Sequence, residues 1–539
     1  MAAESGPGLR ATAAPPLPRA RHGLALCAAL VLALSACGQG KDDGDGGAAT
    51  KPPTSSAPPA VPTPEADWDG CPLTGQATRE CATLKVPVDA AHPGSGTLDL
   101  AVSRLPATDR KRRLGVLVMD PGGPGLQGRY TAANLLPPQL RALFDIVGFD
   151  RRGSGASTPV DCGEPAGAMR RLEETAPADL AKADPEAVEK SAREYVAKCR
   201  AKYGELTAHL GTADSVADLE SLRLALGEDK LSLLTVSYGT LVAQEYLRTH
   251  PGRVRAAVLD GTADPAERGV PFVLSHSASL EEAVGTAGLT PAEKAARELR
   301  DRTAGFRSWC AASGPAECAI APEPDEVLGA VAARTDHLLG AATAVMVTPA
   351  DWPGFSRAVD KAQGTTDSGT ASADATALAD LKAYADKGFP RDVAKAVRNP
   401  PRTAAFDLGV HCADYAWPKT TEGVLKELGE TARESGYEDA APSYAALYSA
   451  CPSWPRSRAP LGAIRAPAAP RPLAVNAEED VRTPLAGAQA VAERLPAALL
   501  KVGGRTHGLA RTGNPCVDAA LTRTLVNGTP PKDGTCPAL

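Results

Sequence analysis

Short, continuous apolar runs rich in Val, Ile and Leu alternate with segments of helical spacing along most of the chain. Such runs are typical of strands that are buried on both faces of a sheet. Helical segments between them indicate crossover connections, and therefore a parallel sheet. The predicted strands cover residues 114–119, 144–149, 231–236, 256–259, 472–475 and 498–502. The pattern predicts an α/β protein with a mostly parallel central sheet.

This alternation is interrupted between residues 266 and 470, where the pattern is mostly helical. Within this stretch Thr290, followed by a proline and by a glutamate three residues later, is typical of a helix start. Because the strand pattern resumes at residue 471, we expect the stretch to be a large helical cap inserted into one sheet domain. The predicted core then consists of residues 67–265 and 471–539.

The N-terminus predicts export. Two arginines precede an 11-residue apolar stretch, residues 24–34, which is too short to cross a bilayer. The sequence LSACG that follows resembles a bacterial lipobox, in which the cysteine is lipidated after cleavage. We therefore expect residues 1–36 to be a lipoprotein-type signal peptide and Cys37 to anchor the protein at the extracellular side of the membrane. Ordinary export with an unmodified Cys37 and a secreted form is the alternative.

Residues 37–66 are rich in Gly, Asp, Pro, Ser, Thr and Ala and contain almost no large apolar side chain. Such a segment cannot bury enough apolar surface to fold by itself. We expect it to be a flexible tether between the membrane and the folded domain.

The cysteine content agrees with export, because ten cysteines remain once Cys27 is assigned to the signal peptide and Cys37 to lipid. An oxidising compartment would pair them. Pairing of neighbours along the chain is the simplest arrangement, because each pair then encloses one local segment. A metal cluster is the weaker alternative, since the chain has no C-x-x-C motif. The ten positions are 71, 81, 162, 199, 310, 318, 412, 451, 516 and 536.

Charge and composition mainly exclude functions. The net charge of −6 becomes −8 when residues 1–36 are removed, because they contain three Arg and one Glu. An acidic chain of this kind is a poor partner for nucleic acid. No G-K-[ST] occurs at the spacing of a phosphate-binding loop, and no cofactor or metal site is predicted.

Ser237 is the strongest catalytic candidate. It follows the predicted strand 231–236, has Gly239 two residues later and precedes a helix-like segment. This arrangement indicates a nucleophile elbow, in which a strained backbone lifts the serine hydroxyl above the sheet edge. Thr235 stands where the usual G-x-S-x-G motif has its first glycine. A serine buried in a strand is the alternative interpretation.

Asp480 and His507 follow the last two predicted strands and supply an acid and a base in the chain order that such a serine requires. His507 lies in a glycine-flanked loop, which favours a catalytic base over a core histidine. Asp260 also ends a predicted strand and is the rival acid. We expect Asp260 instead to bind turn amides at the entrance to the cap.

The glycine-rich loop D-P-G-G-P-G at residues 120–125 comes directly after the first of these strands. Backbone amides without side chains around them can stabilise a developing oxyanion. We expect the amides of Gly123 and Tyr238 to form this oxyanion hole. A simple tight turn is the alternative interpretation.

Together, the segments 121–125, 149–157, 236–240, 258–265, 480–484 and 507–508 resemble the proline-iminopeptidase and secreted tripeptidyl-aminopeptidase branch of the α/β-hydrolase fold. The resemblance covers residues 67–539. It implies that Ser237, Asp480 and His507 form a catalytic triad beneath a helical cap. Members of this family often have histidine or asparagine before the two glycines, whereas this chain has Asp120 and Pro121.

The resemblance implies an exported serine exopeptidase that releases tripeptides or single residues from the N-termini of peptides. Such an enzyme must recognise a free α-ammonium, so carboxylates are expected in the pocket. Asp414 is one candidate, and a capping or salt-bridged aspartate beside a disulfide is the alternative. An esterase or lipase with the same triad and a non-catalytic binding lipoprotein remain as other functions.

Overall fold

The structure is a computed structural model that describes residues 66–71, 79–130, 136–274, 304–321, 323–332, 352–364, 404–435, 441–480 and 482–538. The predicted signal peptide, Cys37 and nearly all of the predicted tether lie outside these residues, as does the predicted helix start at Thr290. Within the described ranges, no helix is both long and apolar enough to cross a membrane.

The strands form one mixed sheet. They are β1 Asp69–Gly70, β2 Glu80–Pro87, β3 Thr97–Leu105, β4 Gly115–Asp120, β5 Phe144–Phe149, β6 Leu231–Val236, β7 Val254–Asp260, β8 Leu473–Ala477, β9 Ala498–Val502 and β10 Gly534–Cys536. Their order is β1-β2-β3-β5-β4-β6-β7-β8-β9-β10. The pairs β1/β2, β2/β3 and β3/β5 are antiparallel, and every other neighbouring pair in this order is parallel. The expected mostly parallel sheet is confirmed.

All six predicted strands are present as β4 to β9, and each end lies within two residues of its predicted position. Every residue of β4 and β6 is buried. Strands of this kind need apolar side chains on both faces, which is why their sequences are continuous apolar runs.

The sequence pattern missed the antiparallel strands β2 and β3. In β2 the central residues alternate between buried and exposed, with Lys85 on an exposed position. One face of this part of the sheet is solvated, so polar residues interrupt the apolar run and the strand resembles a loop in sequence.

The helices lie on both sides of the sheet. They are α1 Pro138–Leu143, α2 Gly167–Glu173, α3 Pro185–Tyr203, α4 Thr212–Ala225, α5 Gly239–Thr249, α6 Ala304–Ser313, α7 Pro324–Ala332, α8 Trp352–Gly364, α9 Ala404–Asp414, α10 Thr421–Ser435, α11 Ala441–Tyr448, α12 Leu485–Arg494 and α13 Pro515–Asn527. Six helices whose ends are described, α6 to α11, lie between β7 and β8 along the chain. This is what an inserted helical region predicts. The cap limits at residues 266 and 470 remain predictions.

Alternate side chains of β4 pack into different buried clusters. Val116 and Val118 join a large cluster with α3 to α5 and with α9 to α11. Leu117 and Met119 join a second cluster with α1 and α13 on the other face. A third cluster, around Phe306, is confined to α6, α7, α8 and the segment between α6 and α7. Helices α9 to α11 therefore share the core of the sheet, whereas α6 to α8 have a core of their own.

Five disulfides link the ten cysteines in neighbouring pairs, so the simplest predicted connectivity is confirmed. Two of them hold elements around the predicted site: one joins the end of α9 to the segment after α11, and one joins α13 to β10. The pairs are Cys71–Cys81, Cys162–Cys199, Cys310–Cys318, Cys412–Cys451 and Cys516–Cys536.

Candidate active site

Ser237 occupies the turn between β6 and α5 and has a backbone φ of +56°. This left-handed conformation is unfavourable for a residue with a Cβ, and it is the strained backbone expected of a nucleophile elbow. Ser237 is partly exposed, whereas every residue of β6 is buried. The turn thus lifts one polar side chain out of a buried strand.

Two glycines allow the surrounding backbone to pack against this turn. A Cβ at Gly239 would lie 2.8 Å from the side chain of Asp120, and a Cβ at Gly122 would lie 2.4 Å from the carbonyl oxygen of Val236. Both distances are too short for a real carbon atom. The glycine-rich loop therefore lies directly on the elbow because neither position carries a side chain.

His507 and Asp480 form the expected acid–base pair. Nδ1 of His507 lies 3.0 Å from Oδ2 and 3.1 Å from Oδ1 of Asp480. The carboxylate is fully buried, whereas 17% of the histidine side chain is exposed. With Nδ1–H donating to the carboxylate, Nε2 carries a free lone pair and can accept a proton.

Thr483 is a residue of this site that the sequence analysis did not identify. Its amide donates to Oδ1 of Asp480 at 3.0 Å, its hydroxyl donates to Oδ2 at 3.1 Å, and the same hydroxyl lies 3.3 Å from Nδ1 of His507. The amide of Arg482 also donates to Asp480, at 2.9 Å. These donors orient the carboxylate towards the histidine. In the sequence, the only sign of this role was a polar side chain three positions after the candidate acid Asp480.

Ser237 and His507 each contact the end of β7. The Ser237 amide donates to the carbonyl oxygen of Asp260 at 2.8 Å. The next residue, Gly261, packs against the imidazole: a Cβ there would lie 2.9 Å from Cε1 of His507. Among the described contacts the Ser237 hydroxyl makes no direct hydrogen bond to His507, and such bonds often tighten only when substrate is bound.

Asp260 binds the backbone that follows His507. Its carboxylate accepts hydrogen bonds from the amides of Leu509 and Ala510. The expectation that Asp260 binds turn amides agrees with this placement. The turn, however, is the one that follows His507, not a turn at the entrance to the cap.

Asp120 lies beneath the predicted oxyanion loop. Its Oδ1 accepts the Gly122 amide at 2.9 Å, while its Oδ2 is buried and has no hydrogen-bond partner among the residues that the structure describes. Burial raises the pKa of this carboxyl group, and the charge of Arg151 opposes the rise. Gly122 has φ +82° and Gly123 has φ +114°. The assignment of the Gly123 and Tyr238 amides as oxyanion donors remains a prediction.

The placement of Asp414 does not support a role in binding the substrate amine. Asp414 is 2% exposed, at the end of α9. Its oxygens accept the Thr212 amide at 2.7 Å, the Thr212 hydroxyl at 2.6 Å and the Tyr238 hydroxyl at 2.8 Å. Desolvation raises its pKa. This carboxylate is buried and engaged by three donors, a placement that favours the alternative interpretation of a capping aspartate.

Arg151 completes a buried polar network behind the elbow. Its Nη2 donates to the Thr212 hydroxyl at 3.1 Å, and the guanidinium carbon lies 5.5 Å from the centre of the Tyr238 ring. The network, which consists of Arg151, Thr212, Tyr238 and Asp414, connects the residue after Ser237 to α4 and α9. The described residues contain no group of three His, Cys, Asp or Glu side chains that could hold a metal ion.

Comparison with known proteins agrees with this geometry. A family model described as alpha/beta hydrolase fold matches residues 115–302, and one described as TAP-like protein matches residues 438–536. A tripeptidyl aminopeptidase from Streptomyces coelicolor is 29% identical over 487 residues, which are 87% of this chain and 85% of that protein. The serine protease Hip1 from Mycobacterium tuberculosis is 29% identical over 476 residues, 84% of this chain and 86% of that protein.

A carboxylesterase B from Mycobacterium tuberculosis is 28% identical over 515 residues, 90% of this chain and 93% of that protein. Among solved structures, a proline iminopeptidase from Mycobacterium smegmatis is similar at 15% identity and a TM-score of 0.32, with 83% of this chain and 98% of that chain covered. The family-model matches and the sheet order together give the chain an α/β-hydrolase fold. The resemblance stated from the sequence is confirmed.

Proposed function

We propose that this α/β-hydrolase-fold protein is a serine exopeptidase that removes tripeptides, or single residues, from the N-termini of peptides. The observation that carries the proposal is a partly exposed serine in a left-handed turn, together with a buried aspartate that contacts a partly exposed histidine. The relatives named tripeptidyl aminopeptidase and serine protease support the choice of peptides as substrates.

The chemistry follows from the orientation of His507. Nε2 accepts the proton of the Ser237 hydroxyl while the oxygen attacks the peptide carbonyl carbon, and Asp480 stabilises the imidazolium that forms. The imidazolium then gives its proton to the leaving amine, and the C–N bond breaks to leave an acyl-enzyme. Water, activated by His507, hydrolyses the ester and restores the serine.

The negative charge on the carbonyl oxygen needs donors that are in place before the reaction. Tyr238 is the N-cap residue of α5, at the end of the helix where the dipole favours negative charge. The loop from Gly122 lies against the Tyr238 amide, since a Cβ at Gly122 would lie 2.9 Å from the Tyr238 nitrogen. We assign the second donor to the amide of Gly123, the next residue of that loop.

Recognition of the substrate amine requires a carboxylate other than Asp414, and we assign it to Glu267. This residue lies in the segment that follows Gly261, and its backbone amide donates to the Asp264 carbonyl. Among the described residues its carboxylate has no hydrogen-bond or ion-pair partner. Burial and the neighbouring Asp264 raise the pKa of Glu267 to about 7. Within the described part of the chain the buried Tyr415 hydroxyl, whose pKa Glu267 helps to raise, has no hydrogen-bond partner either. A bound ammonium would stabilise this uncompensated carboxylate.

We further propose that the protein is exported and held at the outer face of the membrane through lipidated Cys37. The motif at residues 34–38 supports this, as do five disulfides, which persist in oxidising compartments. Mass spectrometry of the mature protein tests it. A first residue later than Cys37, without added acyl mass, would exclude the anchor.

An esterase is the second candidate, because the relative named carboxylesterase B covers a similar share of the chain. The two functions share the triad and differ in whether the pocket recognises an ammonium. An exopeptidase would use the Glu267 carboxylate to bind the substrate ammonium, and an esterase would not need it.

The decisive experiment compares a fluorogenic tripeptide amide with a free N-terminus and the same compound acetylated, using the purified mature protein. We expect cleavage of the free-amine substrate alone, and we expect Glu267→Gln to raise KM for that substrate while leaving hydrolysis of a short p-nitrophenyl ester unchanged. Equal cleavage of both peptides would exclude an exopeptidase. Activity on the ester alone would establish the esterase.

A further inference from the structure

Asp260 contacts both catalytic loops. It is the last residue of β7, and its side chain is fully buried. Its Oδ1 accepts the Leu509 amide at 2.9 Å and its Oδ2 accepts the Ala510 amide at 2.7 Å. Both amides belong to the short 3-10 helix Leu509–Arg511, which begins two residues after His507. One carboxylate thus holds the backbone that carries the catalytic base.

The main chain of the same residue holds the nucleophile. The carbonyl oxygen of Asp260 accepts the Ser237 amide at 2.8 Å, and the amide of the next residue, Gly261, donates to Val475 at 2.8 Å. Gly261 has φ +63° and faces the imidazole of His507 without a side chain between them. The Asp260–Gly261 pair therefore fixes Ser237 on one side and His507 on the other.

A single glycine separates His507 from the two amides that Asp260 accepts. Gly508, between His507 and the anchored amides, has φ +79°, a conformation that a glycine adopts freely. Hydrogen bonds from backbone amides to an ionised carboxylate are stronger than neutral ones, and a buried amide left without an acceptor is unfavourable. The two bonds to Asp260 therefore select one path for the loop.

We propose that Asp260 is a positioning residue, which acts by fixing the His507 loop relative to Ser237 so that Nε2 of His507 reaches the serine hydroxyl. It is not a second triad acid, because both of its oxygens bind backbone amides and Nδ1 of His507 is held by Asp480. The inference rests on the Ser237–His507 pair of the proposed function but not on the identity of the substrate.

The test is Asp260→Asn in the mature protein. The amide nitrogen of asparagine must face one of the two backbone N–H groups, so one of the two hydrogen bonds to the His507 loop is lost. We expect kcat for the tripeptide amide to fall about 10- to 100-fold with KM within about twofold, since a displacement of about 1 Å in a catalytic group has effects of this size. The rate of Ser237 labelling by a fluorophosphonate should fall in parallel.

Asn514→Ala is the matched control. Asn514 is also buried, and its side chain accepts the amides of Cys516 and Val517 at 3.0 and 3.4 Å, but these start α13 and not the His507 loop. The Asn514→Ala variant should have a lower melting temperature than the wild type and an unchanged kcat. If Asp260→Asn does not yield folded protein, Asp260→Ser supports the same measurements, because serine places no amide group against the N–H donors.

A double-mutant cycle separates positioning from general destabilisation. In the His507→Ala background, Asp260→Asn should cause no further loss, because the group that it positions is gone. An equal loss in both backgrounds, or an effect on KM alone, would overturn the proposal. Normal labelling of the wild-type protein with no peptide hydrolysis would instead count against the proposed exopeptidase function and leave this inference standing.

Discussion

Two aspartates near Ser237 have similar hydrogen bonding and different proposed roles. Asp480, at the strand ends, accepts three bonds from Arg482 and Thr483 in addition to its contact with His507. Asp414, in the network behind the elbow, accepts three bonds as well, from Thr212 and Tyr238. Both carboxylates are buried.

The difference lies in the donors. Asp480 faces an imidazole that is 17% exposed and can exchange a proton with a substrate. Asp414 faces a hydroxyl, a backbone amide and a phenol, none of which changes its charge near neutral pH. A buried carboxylate thus becomes catalytic only when one of its partners is titratable and reaches the surface. The comparison predicts that substitutions in the first region reduce activity and that those in the second reduce stability.

The largest expected effect comes from Ser237→Ala. It should lower kcat/KM on the order of 10⁴-fold or more, because no other group forms the acyl-enzyme. Steady-state kinetics on the tripeptide amide measure this effect. Ser232→Ala, in a fully buried position of the same strand β6, is the control and should retain activity. Activity that survives in Ser237→Ala would show that Ser237 is not the nucleophile.

Asp480→Asn should lower kcat about 10³- to 10⁴-fold, because the amide favours the wrong tautomer of His507. Its unfolding midpoint in urea should stay close to that of the wild type. Asp414→Asn should give the reverse result, with nearly normal kcat and a lower midpoint. The comparison between the two regions fails if both variants lose activity to the same extent.

Asp414→Ala should lower the free energy of unfolding by about 3 kcal/mol, because it leaves buried donors on Thr212 and Tyr238 without an acceptor. Urea denaturation followed by circular dichroism provides the measurement. The ratio of activity on free and acetylated tripeptide amides should not change. A selective loss of activity on the free-amine substrate would instead indicate that Asp414 binds the substrate amine.

The smallest expected effect is a pH dependence of stability that comes from Glu267. Its pKa of about 7 in the folded protein exceeds the ordinary value of 4.5, so the folded state binds more protons than the unfolded state between these values. The corresponding stabilisation is complete below about pH 4.5 and is lost as the pH rises through about 7. Relative to the wild type, Glu267→Gln should therefore gain melting temperature between pH 5 and pH 8. A constant difference across this range would show that Glu267 does not titrate there.

Much of the fold could be predicted because local pattern and final environment coincide in the parallel strands. Strands β5, β6 and β9 begin and end where the predicted runs do, because most of their positions are apolar and buried. Strands β2 and β3 were not predicted, because their exposed face carries polar residues and their pairing is decided by each other.

The sequence by itself identified the candidate catalytic residues. Ser237, Asp480 and His507 each follow a recognisable strand, and the position after a strand fixes the edge of a parallel sheet at which a side chain lies. The order of the cysteines likewise anticipated the five disulfides.

Only the tertiary structure decided what the remaining acids do. The contact between Asp414 and Thr212 joins residues 202 positions apart, and the contact between Asp260 and Leu509 spans 249. No local pattern encodes such a pair, because an aspartate has the same sequence signature whether its partners are water, a substrate or a distant amide. Folding selects the partner by burying the carboxylate against whichever donors the neighbouring strands and helices bring to it.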